Sequence, residues 1–173
     1  GESLEPWAIQ AKHMPGKTQM FWACFGFGRR TNLAVIRGDL DSLRGGVIAR
    51  RYIEVLEEHL PTILEHDSIF MQDGAGIHRA HIVKDWFLEQ GIELIDWPPY
   101  SPDLNLIENL WKRLKDEIVR LHPELITMGN SDTAMAHLVQ CAHEAWESLE
   151  EVLLNKLAEN MQKRVDAVLE AKG

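Results

Sequence analysis

The sequence predicts an α/β protein, with a mixed sheet, flanking helices and a C-terminal helical layer. Three observations carry that prediction. Short aromatic or aliphatic runs bounded by Gly and Pro recur in the first hundred residues, as buried strands do. Segments with apolar residues three and four apart alternate with them. From residue 106 onward only the helical period remains.

Gln19–Phe27 (QMFWACFGF), lying between Gly16 and Gly28, reads as a buried strand. Thr31–Ile36 (TNLAVI) is its hairpin partner across Gly28-Arg29-Arg30. After Gly45-Gly46, Ile48, Tyr52, Val55, Leu56, Leu60, Ile63 and Leu64 recur at helical spacing, with Pro61 as a kink or break. Ser68–Gln72 reads as a short strand ending at the turn dipeptide Asp73-Gly74. Ile77–Leu88 is predicted to be an amphipathic helix with Ile82, Val83, Trp86 and Phe87 inward, closed by Gln90-Gly91. Ile92–Trp97 reads as a strand stopped by Pro98-Pro99. A long helix from Leu106 to about Leu121 must end near Pro123. Two further helices cover Thr133–Leu149 and Val152–Ala171, and Met135, Leu138, Val139, Ala142, Trp146 and Leu149 form the inward face of the first. No linker or repeat interrupts the 173 residues, so one domain is expected.

Composition narrows the function. Eighteen Lys+Arg against twenty-seven Asp+Glu leave a net charge of −9, which disfavours a protein that coats nucleic acid by bulk charge. Residues 61–108 hold two basic and nine acidic side chains, a solvated face or a set of oxygen ligands for divalent cations. Cys24 and Cys141 are too few for a disulfide framework and point to a reducing compartment. No apolar run reaches the roughly 18 residues of a membrane helix, and no signal peptide opens the chain, so no membrane partner is expected.

Two carboxylates sit at the ends of their elements. Asp73 ends a predicted strand, the edge of an α/β sheet where ligands bind. Glu108 falls in the first turn of a predicted helix, with 34 residues between them. A strand-end Asp facing a helix-borne Glu can share two divalent metals about 3.5–4 Å apart, as phosphoryl transfer requires. Each also has a local reading. Asp73 fits an Asp-Gly turn, and Glu108 fits a capping box with Asn105.

The surrounding residues weigh against the local readings. Met71-Gln72-Asp73-Gly74-Ala75-Gly76-Ile77-His78-Arg79-Ala80 resembles the second-carboxylate motif of mariner-like transposases. Trp97-Pro98-Pro99-Tyr100-Ser101-Pro102-Asp103-Leu104-Asn105-Leu106-Ile107-Glu108-Asn109-Leu110-Trp111 resembles their third-carboxylate motif, at a gap typical of that superfamily. Gln19–Gly28 is similar to the family's second strand, and the tail from Leu157 to its ending, so the resemblance covers nearly the whole chain. Leu106 departs from the Pro that many members carry at that helix start.

The resemblance implies a ribonuclease-H-like fold and a carboxylate triad binding Mg²⁺ or Mn²⁺. It implies DNA cleavage at transposon ends, then joining of the freed 3′-hydroxyl to target DNA by transesterification. Asp73 and Glu108 carry over as the catalytic metal ligands. His78 belongs beside the site by the resemblance, or is a helix-start His with a purely local bond, and Asn105 and Asn109 are structural or supporting candidates. Lys112, Lys115, Arg79, Tyr100 and Ser101 are candidate DNA contacts, with Lys112 and Lys115 within a turn or two of Glu108. Arg29-Arg30 and Arg50-Arg51 are lesser phosphate candidates. The family also implies DNA as partner, a homodimer in the full protein and a nuclear location.

The family's first Asp, on the first strand, has no match. Only Glu2 and Glu5 precede Gln19, and Asp39 and Asp41 follow the second hairpin strand. The expectation is that the chain begins after the first strand and after the family's N-terminal helix-turn-helix domains. In the ribonuclease-H-like sheet that strand is paired on both sides, so removing it strands backbone groups at about 1–3 kcal/mol each if buried. Against a stability of about 5–15 kcal/mol, the gap is expected to be filled by a second polypeptide carrying the Asp, or by a swapped strand. Two other readings stand beside an active transposase fragment. One is a domesticated or truncated derivative that binds DNA or protein. The other is an unrelated hydrolase of RNA–DNA hybrids. The pairs His78/His81 and His137/Cys141 have transition-metal spacing, though neither makes a four-ligand set.

Overall fold

The computed structural model describes residues 8–9, 19–38, 48–66, 68–95 and 105–170. Its elements are β1 (Ala8–Ile9), β2 (Gln19–Trp22), β3 (Phe25–Gly26), β4 (Arg29–Arg30), β5 (Ala34–Ile36), α1 (Ala49–His59), β6 (Ile69–Phe70), α2 (His81–Glu89), β7 (Glu93–Leu94), α3 (Leu106–Leu121), α4 (Asp132–Ser148) and α5 (Glu151–Glu170). Short 3₁₀ turns cover Leu60–Thr62 after α1 and Pro123–Ile126 after α3. Both carry the proline that stops the preceding helix.

The predicted hairpin is present but divided into two short ladders. β2 pairs antiparallel with β5, placing Phe21 opposite Val35, and β3 pairs with β4. Between them the buried Thr31 intervenes. The Cys24 N–H donates to Thr31 Oγ1 at 3.0 Å, while the Thr31 N–H donates to the Cys24 carbonyl at 2.9 Å. A side-chain hydroxyl thus takes a place that a regular ladder gives to a carbonyl. The turn is Phe27-Gly28, where Gly28 adopts φ 68°, open to glycine at little cost.

The alternation of the hairpin buries both of its faces. Phe21, Ala23 and Leu33 pack with Leu110, Trp111 and Leu114 of α3, Ala142 and Trp146 of α4, and Leu154 of α5. Trp22, Ala34 and Ile36 pack on Tyr52 and Leu56 of α1, Phe70 of β6, and Val83 and Phe87 of α2. The Trp146 indole N–H donates to the Thr31 carbonyl at 3.0 Å, tying the helical layer to the hairpin break.

A further ladder stands apart from the hairpin. β6 and β7 pair in parallel, Ile69 with Glu93 and Phe70 with Leu94, while β2 lies in the antiparallel order β1–β2–β5. No ladder joins β2 to β6 among the described residues.

Three helical expectations hold closely: α3 has the predicted bounds, and α4 and α5 each start one residue early. The helix expected over Ile77–Leu88 begins only at His81, because Ala80 is extended at ψ 139° and residues 76–79 are a turn. Ile82, expected inward, is 47% exposed. The predicted strands Ser68–Gln72 and Ile92–Trp97 contract to two residues each, Trp97 itself lying outside the described residues with Asp39 and Asp41.

Candidate functional site

Asp73 follows β6 by two residues, and its carboxylate is held by its own loop. Asp73 Oδ1 accepts the Ala75 N–H at 3.0 Å and faces His78 Nδ1 at 2.7 Å. The Asp73-Gly74 turn reading is therefore partly right, since the Ala75 bond is a local Asx contact. The His78 bond goes beyond a turn, because five residues of loop are folded back to bring an imidazole onto the carboxylate.

The ring of His78 rests on that of Tyr52, with centroids 4.7 Å apart. The Tyr52 hydroxyl donates to Gln72 Oε1 at 2.8 Å. Tyr52 is 1% exposed, so α1 supplies a rigid floor under the loop. Helical periodicity places Tyr52 only in the core. Its one linear signal is a hydroxyl at a core position, where a partner is required. His78 lies in the turn before the extended Ala80 while His81 opens α2, so the two do not share a helix face.

Glu108 lies in the first turn of α3, where a carboxylate complements the helix dipole. The capping box with Asn105 does not form. Asn105 is the N-cap by backbone, but its side chain makes no capping hydrogen bond, and it is 6% exposed.

Asp73, His78, Asn105 and Glu108 line one cleft of ≈ 200 Å³. Its other walls are Phe21–Gly26 of the hairpin, Ile69–Gln72 of the β6 segment, Tyr52 and Trp111. The cleft thus runs between the β2 side and β6, where no ladder among the described residues bridges the two sheets. Asn109 is half-buried on α3 and is not among the lining residues.

The electrostatics tie the two carboxylates together. Burial pushes the Asp73 carboxyl up, but the His78 and Ala75 hydrogen bonds outweigh it and leave Asp73 below its usual range. Burial and the Asp73 charge together push Glu108 above its usual range, with Lys115 opposing them. Cys24, on the hairpin wall, is pushed up to about 12 by burial, against the charge of Arg29.

Of the candidate DNA contacts, Lys115 is half-buried beside Glu108, whereas Lys112 and Arg79 are exposed. Tyr100 and Ser101 lie outside the described residues. Arg30, one of the lesser phosphate candidates, is taken by the fold: it donates to the Leu149 carbonyl at 2.9 Å and lies 5.3 Å over Trp146. Arg29 pairs with Glu65, and Arg51 with Glu54.

A family model described as DDE superfamily endonuclease matches residues 41–128, a span that includes Asp73 and Glu108. The chain belongs to the DDE superfamily endonucleases. It is 31% identical over 173 residues to the transposable element Tc3 transposase of Caenorhabditis elegans, covering 98% of this chain and 48% of that protein. It is 29% identical over 164 residues to the Tcb1 transposase of Caenorhabditis briggsae, covering 91% of this chain and 54% of that protein. The chain spans about half the length of these curated relatives. Among solved structures, the Mos1 transposase catalytic domain determined with raltegravir and Mg aligns at TM-score 0.62 and 16% identity, covering 90% of this chain and 76% of that one. The ribonuclease-H-like fold and the family expected from the two motifs are both met.

Proposed function

We propose that this chain is the greater part of a single catalytic domain of a cut-and-paste DNA transposase. The reading rests above all on Asp73 and Glu108, with 34 residues between them in sequence, lining one cleft closely enough for one charge to raise the other's pKa. Relatives over nearly the whole chain are transposases.

The donor set fits Mg²⁺ or Mn²⁺. Two carboxylates and the Asn105 amide are hard oxygen donors, and two facing carboxylates are a charge arrangement that a divalent cation relieves. Bound there, such ions supply Lewis acidity toward the scissile phosphate and the attacking hydroxyl. The chain's own residues do the positioning. His78 and the Ala75 N–H hold Asp73 ionised and fixed through Oδ1, and neither bond uses Oδ2. Glu108 is presented by the start of α3, and Lys115, two turns along the same helix with its charge acting on Glu108, would be the side chain to meet a phosphate. Lys112 and Arg79 offer exposed charge to the DNA backbone, and Tyr100 and Ser101, which precede α3 in sequence, stay candidate DNA contacts.

The family's first Asp has no counterpart among the described lining residues. We assign it to a further strand seated between β2 and β6, supplied by a second polypeptide or a second copy. Action as a homodimer on paired DNA ends, in the nucleus, belongs to the same reading. Among the described residues no helix is long and apolar enough to cross a membrane.

The test is Mn²⁺-dependent nicking of a transposon-end duplex by the protein reconstituted with that strand. Asp73→Ala and Glu108→Asn should each abolish nicking while circular dichroism stays native. Nicking by either folded variant refutes the assignment. The two-carboxylate lining also favours a second reading, a derivative that binds DNA or protein without cutting. Its signature is DNA retention with no Mn²⁺-dependent nicking even when the strand is supplied.

A further inference from the structure

A second cluster of metal-ligating side chains lies away from the cleft, where α3 ends and α4 runs past it. Pro123 breaks α3 after Leu121, and the following 3₁₀ turn brings His122 and Glu124 against the face of α4 that carries His137, Cys141 and Glu144. Sequence spacing pairs His137 with Cys141 but offers no further ligands; the turn supplies them.

The atoms converge. His122 Nδ1 lies 3.4 Å from Glu124 Oε1, and His137 Nε2 lies 3.3 Å from the same oxygen. Cys141 Sγ is 3.5 Å from His137 Nε2. Ligand atoms of His122, Glu124 and Cys141 all fall within 4.8 Å of one another. Tetrahedral zinc, with bonds near 2.0–2.1 Å to nitrogen and 2.3 Å to sulfur, sets neighbouring ligand atoms about 3.3–3.6 Å apart. Three of the separations already have that value; the His122 and His137 rings, with centroids 6.2 Å apart, would have to turn toward the ion to complete the set. The Nε2 of His122 is buried and lies 3.0 Å from Glu144 Oε2, yet it is out of line for a hydrogen bond. A slight turn of the ring toward a metal can bring that pair into line, the carboxylate–histidine arrangement that orients zinc ligands.

We propose that His122, Glu124, His137 and Cys141 form a zinc site that clamps the end of α3 to α4, with Glu144 holding the His122 ring from behind. Mixed nitrogen, sulfur and oxygen donors select zinc over magnesium, which prefers oxygen alone. Glu124 and His137 reach solvent, so the ion has a way in, while Cys141 is 1% exposed and anchors the inner side. The site is independent of the cleft, and its existence does not depend on the transposase reading.

Titration of the metal-free protein with Co²⁺, read by visible spectroscopy, tests it, with Zn²⁺ as competitor. One equivalent should give the tetrahedral spectrum with a thiolate charge-transfer band, displaced by Zn²⁺ and not by excess Mg²⁺. Cys141→Ser should remove the charge-transfer band. His137→Ala and Glu124→Gln, at solvent-facing positions where folding is safe, should each weaken Co²⁺ binding at least about 10-fold. Asp73→Asn combined with Glu108→Gln should leave binding unchanged. An octahedral spectrum without the thiolate band, unaltered affinity in His137→Ala and Glu124→Gln, or loss of binding in the cleft variant would each overturn the assignment.

Discussion

The contact between His78 and Asp73 is predicted to be among the stronger single polar interactions in this protein, and a double-mutant cycle measures it. The perturbations are Asp73→Ala, His78→Ala and the pair. The 2.7 Å bond joins an imidazole donor to a carboxylate, and the two side chains are only 11% and 19% exposed, so water competes weakly. Hydrogen bonds to charged groups in such settings contribute about 1.5–3 kcal/mol, and that is the expected coupling at pH 7. For a protein of this length about 1 kcal/mol moves the Tm by roughly 2–4 °C. The bond also leaves Asp73 below its ordinary pKa, so its contribution is full above the unfolded value near about 3.9 and fades as pH falls through the lower folded value. Urea unfolding of the four proteins at pH 7, repeated in acid, gives both numbers. Carboxyl NMR of His78→Ala should show the Asp73 titration moved upward, since burial then acts against only the Ala75 N–H. A coupling within about 0.5 kcal/mol of zero at pH 7 refutes the claim that His78 holds the carboxylate.

Two further outcomes follow from other contacts. Glu108 is raised by burial and by Asp73, so ionising it costs the metal-free fold stability above its unfolded pKa; Glu108→Gln should raise the Tm at pH 7, lose that advantage near about pH 4, and cancel the stabilisation that Mn²⁺ gives the unmodified protein. Thermal melts with and without Mn²⁺ check all three. Trp146→Phe keeps a ring at a fully buried position but removes the donor to the Thr31 carbonyl, and a midpoint shift equivalent to about 1–3 kcal/mol in urea is expected; an unchanged midpoint would mean that the N–H bond is dispensable.

The parts of the fold legible in the sequence are those that local chemistry decides. α3 is bounded by an extended Asn105 and by Pro123, and α4 is capped by Ser131, whose hydroxyl accepts the Ala134 N–H at 3.1 Å. The carboxylate pair was legible because Asp73 and Glu108 sit in long local motifs that the family model also spans. What escaped depends on distant partners. The hairpin break comes from Thr31 turning its hydroxyl onto Cys24, which no β-propensity encodes. The late start of α2 comes from His78 folding back to Asp73, so that residues with helical periodicity serve the site instead. Tyr52 beneath His78, and His122 and Glu124 beside Cys141, are brought together only by packing.

These departures share a cause that bears on the site itself. β6 is two residues long and its described ladder lies only on the β7 side, so backbone pairing alone gives Asp73 little support. Side chains hold the loop instead. Tyr52, from α1, is bonded to Gln72 and stacked on His78, and His78 is bonded to Asp73. A strand seated between β2 and β6 would add a ladder on the open side and share in holding the loop. The coupling between Asp73 and His78 should then be largest in the chain alone and smaller once that strand is bound. A reversed order, with coupling growing on strand addition, would mean that the loop of the chain alone is not yet in the geometry it adopts with that strand bound.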